Sequence, residues 1–223
     1  MTAPYFADEC ITLYHGDCLG IAAWLRADVL VTDPPYGIGY ESNMVRDHRN
    51  IKRGCPIVGD TSTAARDAAL NLWDGPAIVF GRWDAPRPAG VRARLVWDKG
   101  GGFMGNLSMP WGRSDEEIYV LGEGFSGQRE GSVLRAHLNA KAKARPDHPT
   151  PKPIQLMERL IQKCPPGTIA DPFAGSGSTL IAARNLGRKA IGVEVEERYC
   201  EIIARRLDQG CFDFSTVVGS LDD

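Results

Sequence analysis

Asp33-Pro34-Pro35-Tyr36 closes an apolar run, Val29 to Thr32, and its residue types suit the capture of a planar exocyclic amine. An amino group on a nucleobase is a poor nucleophile because its lone pair is delocalised into the ring. Hydrogen-bond acceptors around the nitrogen reduce that conjugation and aim the atom at an electrophile. The Asp33 carboxylate can take one N–H and the Pro34 carbonyl the other, Pro34 and Pro35 stiffen the loop, and Tyr36 offers a face for stacking. A base inside a duplex cannot reach such a pocket, so this chemistry requires its extrusion, with unstacking costing on the order of a few kcal/mol.

A second motif stands near the other end of the chain. Asp171-Pro172-Phe173-Ala174-Gly175-Ser176-Gly177-Ser178-Thr179 has two glycines at the start of a helical pattern, where backbone N–H groups and the helix dipole favour an anionic ligand. Glu194 closes the next apolar run, 23 positions after Asp171. That offset suits the binding of a ribose diol, as in dinucleotide folds where it is about 20 residues. Leu180 stands where a dinucleotide fingerprint has its third glycine, and no Gly-Lys-Ser/Thr triplet follows, so NAD and ATP both lose ground.

The elements that must position these residues are legible as alternating patterns. Strand-like runs cover Ile11 to Tyr14, Val29 to Thr32, Ala77 to Phe80, Leu95 to Asp98, Ile118 to Leu121, Thr168 to Ala170 and Ala190 to Val195. Helical patterns cover Leu19 to Leu25, Ser62 to Trp73, Ile154 to Lys163, Thr179 to Leu186 and Glu197 to Leu207, with Pro153 suited to a first turn and Gly187 to a stop. The alternation predicts an α/β fold, a mainly parallel sheet of seven strands with helices on both faces. In such sheets ligands bind beyond the carboxyl ends of the strands, where Asp33, Asp171 and Glu194 would meet in one crevice.

Asp171-Pro172-Phe173-Ala174-Gly175-Ser176-Gly177 resembles the S-adenosylmethionine motif of amino-directed DNA methyltransferases, and His148-Pro149-Thr150-Pro151-Lys152-Pro153 resembles the segment preceding it. With Asp-Pro-Pro-Tyr first and the cofactor motif near the C-terminus, the order resembles the circularly permuted β group of that family. RNA and protein amino methyltransferases generally carry the reverse order. The resemblance runs from about Ile11 to Leu207, and Glu116 to Val120 is similar to the family's last strand. It implies a Rossmann-like methyltransferase fold, S-adenosyl-L-methionine as methyl donor, and catalysis by Asp33, Pro34, Pro35 and Tyr36 on adenine N6, with cytosine N4 the close alternative. It also implies cofactor contacts from Asp33, Asp171, Phe173, Ala174, Gly175, Ser176, Gly177 and Glu194. Thr150 and Lys152 are implied near the methionine end and Asp17 near the adenine. An RNA substrate and a catalytically silent binding module are the rival expectations.

The chain of 223 residues reads as one domain, residues 1–223, with 43% hydrophobic and 24% charged residues. The absence of a long apolar run or a basic-then-apolar leader predicts no membrane segment and a cytoplasmic location. The scattered cysteines and histidines predict no metal site. A net charge of −2 leaves only local surfaces for double-stranded DNA. One candidate holds Arg46, Arg49, Lys52 and Arg53. The other holds Arg129, Arg135, Lys141 and Lys143, within a short target-recognition insertion at 122–147 where Ser132 to Ala144 reads as a basic helix with Val133, Leu134 and Leu138 inward. An insertion this short predicts either modest specificity or assistance from a homodimer.

Overall fold

Val29-Leu30-Val31-Thr32 is buried along its whole length, as a β-branched run covered on both faces must be. The computed structural model describes residues 2–37, 62–100, 110–137 and 151–209, and among these it shows one nine-stranded sheet around that strand. The strands are β1 (Phe6–Ala7), β2 (Ile11–His15), β3 (Val29–Thr32), β4 (Ala77–Gly81), β5 (Val91–Asp98), β6 (Asp115–Leu121), β7 (Val133–Arg135), β8 (Ile169–Asp171) and β9 (Ala190–Glu194). The helices are α1 (Ala64–Asn71), α2 (Ile154–Ile161), α3 (Ser178–Asn185) and α4 (Glu197–Gln209), with a 3-10 segment at Ala22–Arg26.

The spatial order is β1-β2-β9-β8-β3-β4-β6-β5-β7. The ladder from β2 through β9, β8 and β3 to β4 is parallel throughout. β6 runs antiparallel between β4 and β5, and β7 then pairs in parallel with β5. The seven expected strands are present, and two short strands, β1 and β7, extend the edges. The expected basic helix over Ser132 to Ala144 is corrected at its start: Val133 and Arg135 point out and Leu134 points in, the period of a strand. Residues 138–144 of that expectation lie outside the described residues.

Alternate residues of the strands feed two cores. Val29 and Val31 of β3 pack with Leu156, Met157, Leu160 and Ile161 of α2, Ala182 and Ala183 of α3, and Cys200, Ile203 and Leu207 of α4. Leu30 packs on the other face with Trp24 of the 3-10 segment and Ala69 of α1. The expected helix at Leu19 to Leu25 is this 3-10 turn, tied by the Trp24 indole donating to the Cys18 carbonyl at 2.9 Å. No described helix is long and apolar enough to cross a membrane.

Candidate active site

Because β2, β9, β8, β3, β4 and β5 all point the same way, their carboxyl ends form one edge of the sheet, and antiparallel β6 brings its amino end to the same place. Register fixes this: Glu116 lies opposite Trp97, Asp98 opposite Asp115, and Gly81 opposite Glu117. Asp33 follows β3, Lys99 follows β5, and Lys152 immediately precedes Pro153, which caps α2. Residues distant in the chain thus converge without any long loop having to place them.

Asp33 accepts hydrogen bonds from two donors, the Tyr36 hydroxyl on Oδ1 and the Lys152 ammonium on Oδ2. The same ammonium lies 3.1 Å from Glu116 Oε2, whose other oxygen is 2.7 Å from Lys99 Nζ. The Tyr36 hydroxyl oxygen also lies 3.2 Å from Glu116 Oε2, so the two carboxylates compete for its one proton. Lys152, with its side chain only 5% exposed, is not a solvated lysine at a helix start. Its ammonium stands 5.0 Å from the ring centre of Phe80, 5.7 Å from that of Tyr36 and 5.9 Å from that of Trp97. Two lysines against two carboxylates make the cluster neutral, and aromatic faces favour the cation enclosed among them.

Burial alone would discharge these groups, and the partners decide otherwise. For Lys152 burial works against the ammonium, but Asp33 and Glu116 outweigh it and raise the pKa. For Glu116 burial pushes the carboxyl up, but Lys152 and Lys99 bring it below its ordinary value. Burial wins at Asp33, which stands above the usual carboxylate range despite Lys152, and it holds the Tyr36 hydroxyl well above the usual phenol range.

The glycine-rich turn lies on adjacent strands. Asp171 is 2% exposed and turned inward, accepting from the Thr32 hydroxyl at 2.7 Å and from the Phe173 N–H at 3.1 Å. It therefore ties the residue before Asp33 to the start of the turn. Gly175 and Gly177 have φ of +51° and +78°, and a Cβ on Gly177 would come within 2.8 Å of Ile203. Ala174 N–H donates to the Val193 carbonyl at 2.9 Å, so the turn is pinned to β9. Ser176 is buried, and its carbonyl accepts from Arg206. Phe173 is half-buried beside the turn. The Ser178 hydroxyl donates to the Lys152 carbonyl at 2.9 Å and joins this turn to the charged cluster.

Glu194 ends β9 with Oε2 accepting from the Gly175 N–H at 2.7 Å and Oε1 from the Glu196 N–H at 2.8 Å. Burial pushes its carboxyl up to about 7. Asp17 is exposed two residues beyond β2, and His15 of β2 lies opposite Glu194, so both acids stand at neighbouring strand ends. The residues fit an adenosyl cofactor in kind: left-handed Gly175 and Gly177 bracket Ser176 without Cβ atoms of their own, Gly177 gives α3 no side-chain cap, and the carboxylates of Glu194 and Asp17 stand at neighbouring strand ends.

Not every expected residue arrives here. Segment 122–130 leaves β6 at the opposite edge, where Gln128 and Glu130 bond Lys163 just beyond α2, so exposed Arg129 is remote from Asp33. Arg135 returns to the edge that carries Asp33, 79% exposed and 2.9 Å from Asp98. Arg46, Arg49, Lys52, Arg53, Lys141, Lys143 and Thr150 lie outside the described residues. Glu116 and Lys99 were not legible as site residues, since each ends a strand like an ordinary surface charge. Trp83 and Trp111, 66% and 78% exposed, also flank this edge beyond β4 and before β6, and Arg113 lies 5.9 Å over the Trp83 ring.

Residues 126–205 match the family model described as DNA methylase. The chain is 30% identical over 215 residues to a protein bearing the name methylase YubD of Escherichia coli (strain K12), covering 86% of this chain and 88% of that protein. It is 26% identical over 265 residues to the type II methyltransferase M.ScaI of Streptomyces caespitosus, covering 92% and 84%. The crystal structure of the M1.HpyAVI–SAM complex superposes with a TM-score of 0.61 at 23% identity, covering 88% of this chain and 99% of that one.

Proposed function

The chain belongs to the DNA methylase family of N6-adenine and N4-cytosine amino-methyltransferases, which use S-adenosyl-L-methionine, and on that premise we propose that it methylates adenine N6 in double-stranded DNA after drawing the base out of the helix. The observation that carries this reading is Asp33, a carboxylate at the carboxyl edge of the sheet whose two oxygens already accept O–H and N–H donors. An exocyclic amine offers the same kind of donor.

S-adenosyl-L-methionine supplies an electrophilic methyl group carried on a sulfonium. Gly175, Ser176 and Gly177 would hold its amino-acid end, with Lys152 beside them, while Glu194 and Asp17 would take the ribose and adenine. Asp33 and the Pro34 carbonyl hold the two N–H groups of the base amine, concentrating its lone pair. Tyr36 presents its ring to the base. Because Asp33 is fixed by β3 and the turn by β8 and β9, the two halves meet with little reorganisation. Trp83, Trp111 and Arg135, exposed at the same edge, would offer stacking faces and a cation to the DNA around the extruded base.

The test is mass spectrometry of nucleosides from unmethylated DNA incubated with protein and S-adenosyl-L-methionine, beside an Asp33→Ala control. N6-methyladenine absent from the control supports the proposal, whereas N4-methylcytosine keeps the mechanism and changes the base. Neither product, with the cofactor bound, overturns it in favour of RNA or of a silent module.

A further inference from the structure

Asp33 faces a conflict if it is to accept the amine of a base. Both its oxygens are already engaged, one by the Tyr36 hydroxyl and the other by the Lys152 ammonium. Each oxygen keeps a second lone pair for an incoming N–H, but the ammonium competes for the charge that would hold it, and a buried cation loosened from its anion loses Coulomb energy that water cannot replace there.

Glu116 removes the conflict. Its Oε2 is 3.1 Å from the same ammonium, and its side chain is 12% exposed. The Phe80, Tyr36 and Trp97 rings already surround Lys152 Nζ at 5.0–5.9 Å, so a small shift toward Glu116 leaves the cation enclosed. Lys99 occupies the other Glu116 oxygen at 2.7 Å and sets how strongly that carboxylate draws the second lysine. The Glu116 backbone is held in β6, paired across from Trp97.

We propose that Glu116 is a positioning residue: it takes over the Lys152 ammonium when the amine of the target base takes Asp33, so the cation passes between two carboxylates instead of being stranded. This rests on the proposed amino methylation and holds equally for adenine and cytosine. No covalent step is involved, and the hydrogen bond that Asp33 loses from lysine is replaced by one from the base.

The experiment is steady-state methylation of unmethylated DNA by the full chain and its Glu116→Gln, Glu116→Asp and Lys99→Met variants. Glutamine keeps the shape of Glu116 and removes its charge, leaving Asp33 as the ammonium's sole anion. Its KM for DNA rises about ten-fold or more while kcat changes less than about three-fold, the split expected when a ground-state competitor is strengthened. Glu116→Asp, which retains the carboxylate, recovers most of the lost affinity. Lys99→Met carries the opposite sign, since Glu116 freed of one lysine draws Lys152 harder and KM falls. A merely structural role predicts none of this pattern. An unchanged KM in Glu116→Gln, or a KM that rises in Lys99→Met, overturns the proposal. If Glu116→Gln does not fold, the sign in Lys99→Met decides alone. Absence of methylated base with the wild-type chain would remove the proposed function, and this inference with it, whereas an active wild type beside an unaffected Glu116→Gln removes the inference only.

Discussion

Leu180 Cδ1 lies 2.7 Å from the point where a Cβ on Gly192 would stand, so α3 meets β9 through a leucine on the helix and a glycine on the strand. In a dinucleotide fold the helix supplies the glycine for that close approach. Here the residues are exchanged between the two elements and the separation is kept. Gly192→Ala should therefore cost about 1–3 kcal/mol by overpacking, read by urea denaturation. Adding Leu180→Ala should recover part of the loss, and strictly additive costs would show that the two positions do not share that space.

Asp33→Ala should abolish methyl transfer, a loss of at least about two orders of magnitude, while leaving the melting temperature almost unchanged. The side chain is one-quarter exposed at 25%, and Lys152 keeps Glu116 as a partner. Transfer of labelled methyl groups checks the first part and thermal denaturation the second. Full residual activity would take Asp33 out of the chemistry.

Lys152→Met should behave in the opposite way. It leaves Asp33 and Glu116 facing each other with Lys99 as the cation on Glu116 alone. Removing the shared partner of a buried ion pair costs on the order of 3–5 kcal/mol, and chemical denaturation measures it. A loss below about 1 kcal/mol would mean that the cluster is solvated well enough to do without its lysine.

Burial, the leading cause at both sites, pushes Glu194 up to about 7 and Asp171 up to about 6, from ordinary values of 4.5 and 3.8. The folded state then holds more protons than the unfolded chain between those limits. The stabilisation is complete below pH about 4 and is lost as pH rises to about 7, by a few kcal/mol in all. Glu194→Gln and Asp171→Asn should each flatten part of that slope in denaturation curves taken across this range; an unaltered slope would locate its origin elsewhere. Cofactor affinity should run the other way, strengthening as Glu194 ionises, and Glu194→Ala should weaken it by about ten-fold or more. Titration calorimetry at pH 6 and pH 8 reads both effects.

Trp83→Ala and Trp111→Ala should each raise KM for DNA several-fold with no change in melting temperature, because the indoles are 66% and 78% exposed and their removal opens no core. Base stacking on an aromatic ring contributes about 1–3 kcal/mol. Filter binding across a salt series separates this from phosphate contacts, whose loss would reduce the salt dependence.

The parallel core was legible because a strand buried on both faces is an unbroken apolar run: β3, β4, β8 and β9 all stand where such runs occur. The two motifs were legible because local backbone geometry demands their residue types. Glu116 was hidden since Glu116-Glu117 resembles a polar strand end, and what makes it a site residue is Lys152, brought to it by the sheet. β7 escaped because three residues carry too short a pattern, although Leu134 alone is buried. Basic character drew Arg129 and Arg135 into one group, but the turn between β6 and β7 sends them to opposite edges.

β9 and β8 lie between β2 and β3, so these two early strands never touch. Ile11 waits for Ala190, and Val29 for Ile169, before either ladder closes. During synthesis the ribosome releases the Asp33 half with two unpaired apolar strand edges, and the glycine-rich half then enters as a wedge. Long-range parallel pairing of this kind folds slowly and leaves those edges open to other chains. A nascent chain stalled before residue 165 would be the aggregation hazard of this protein, and its yield in a cell should follow the availability of chaperones more closely than the stability of the finished fold.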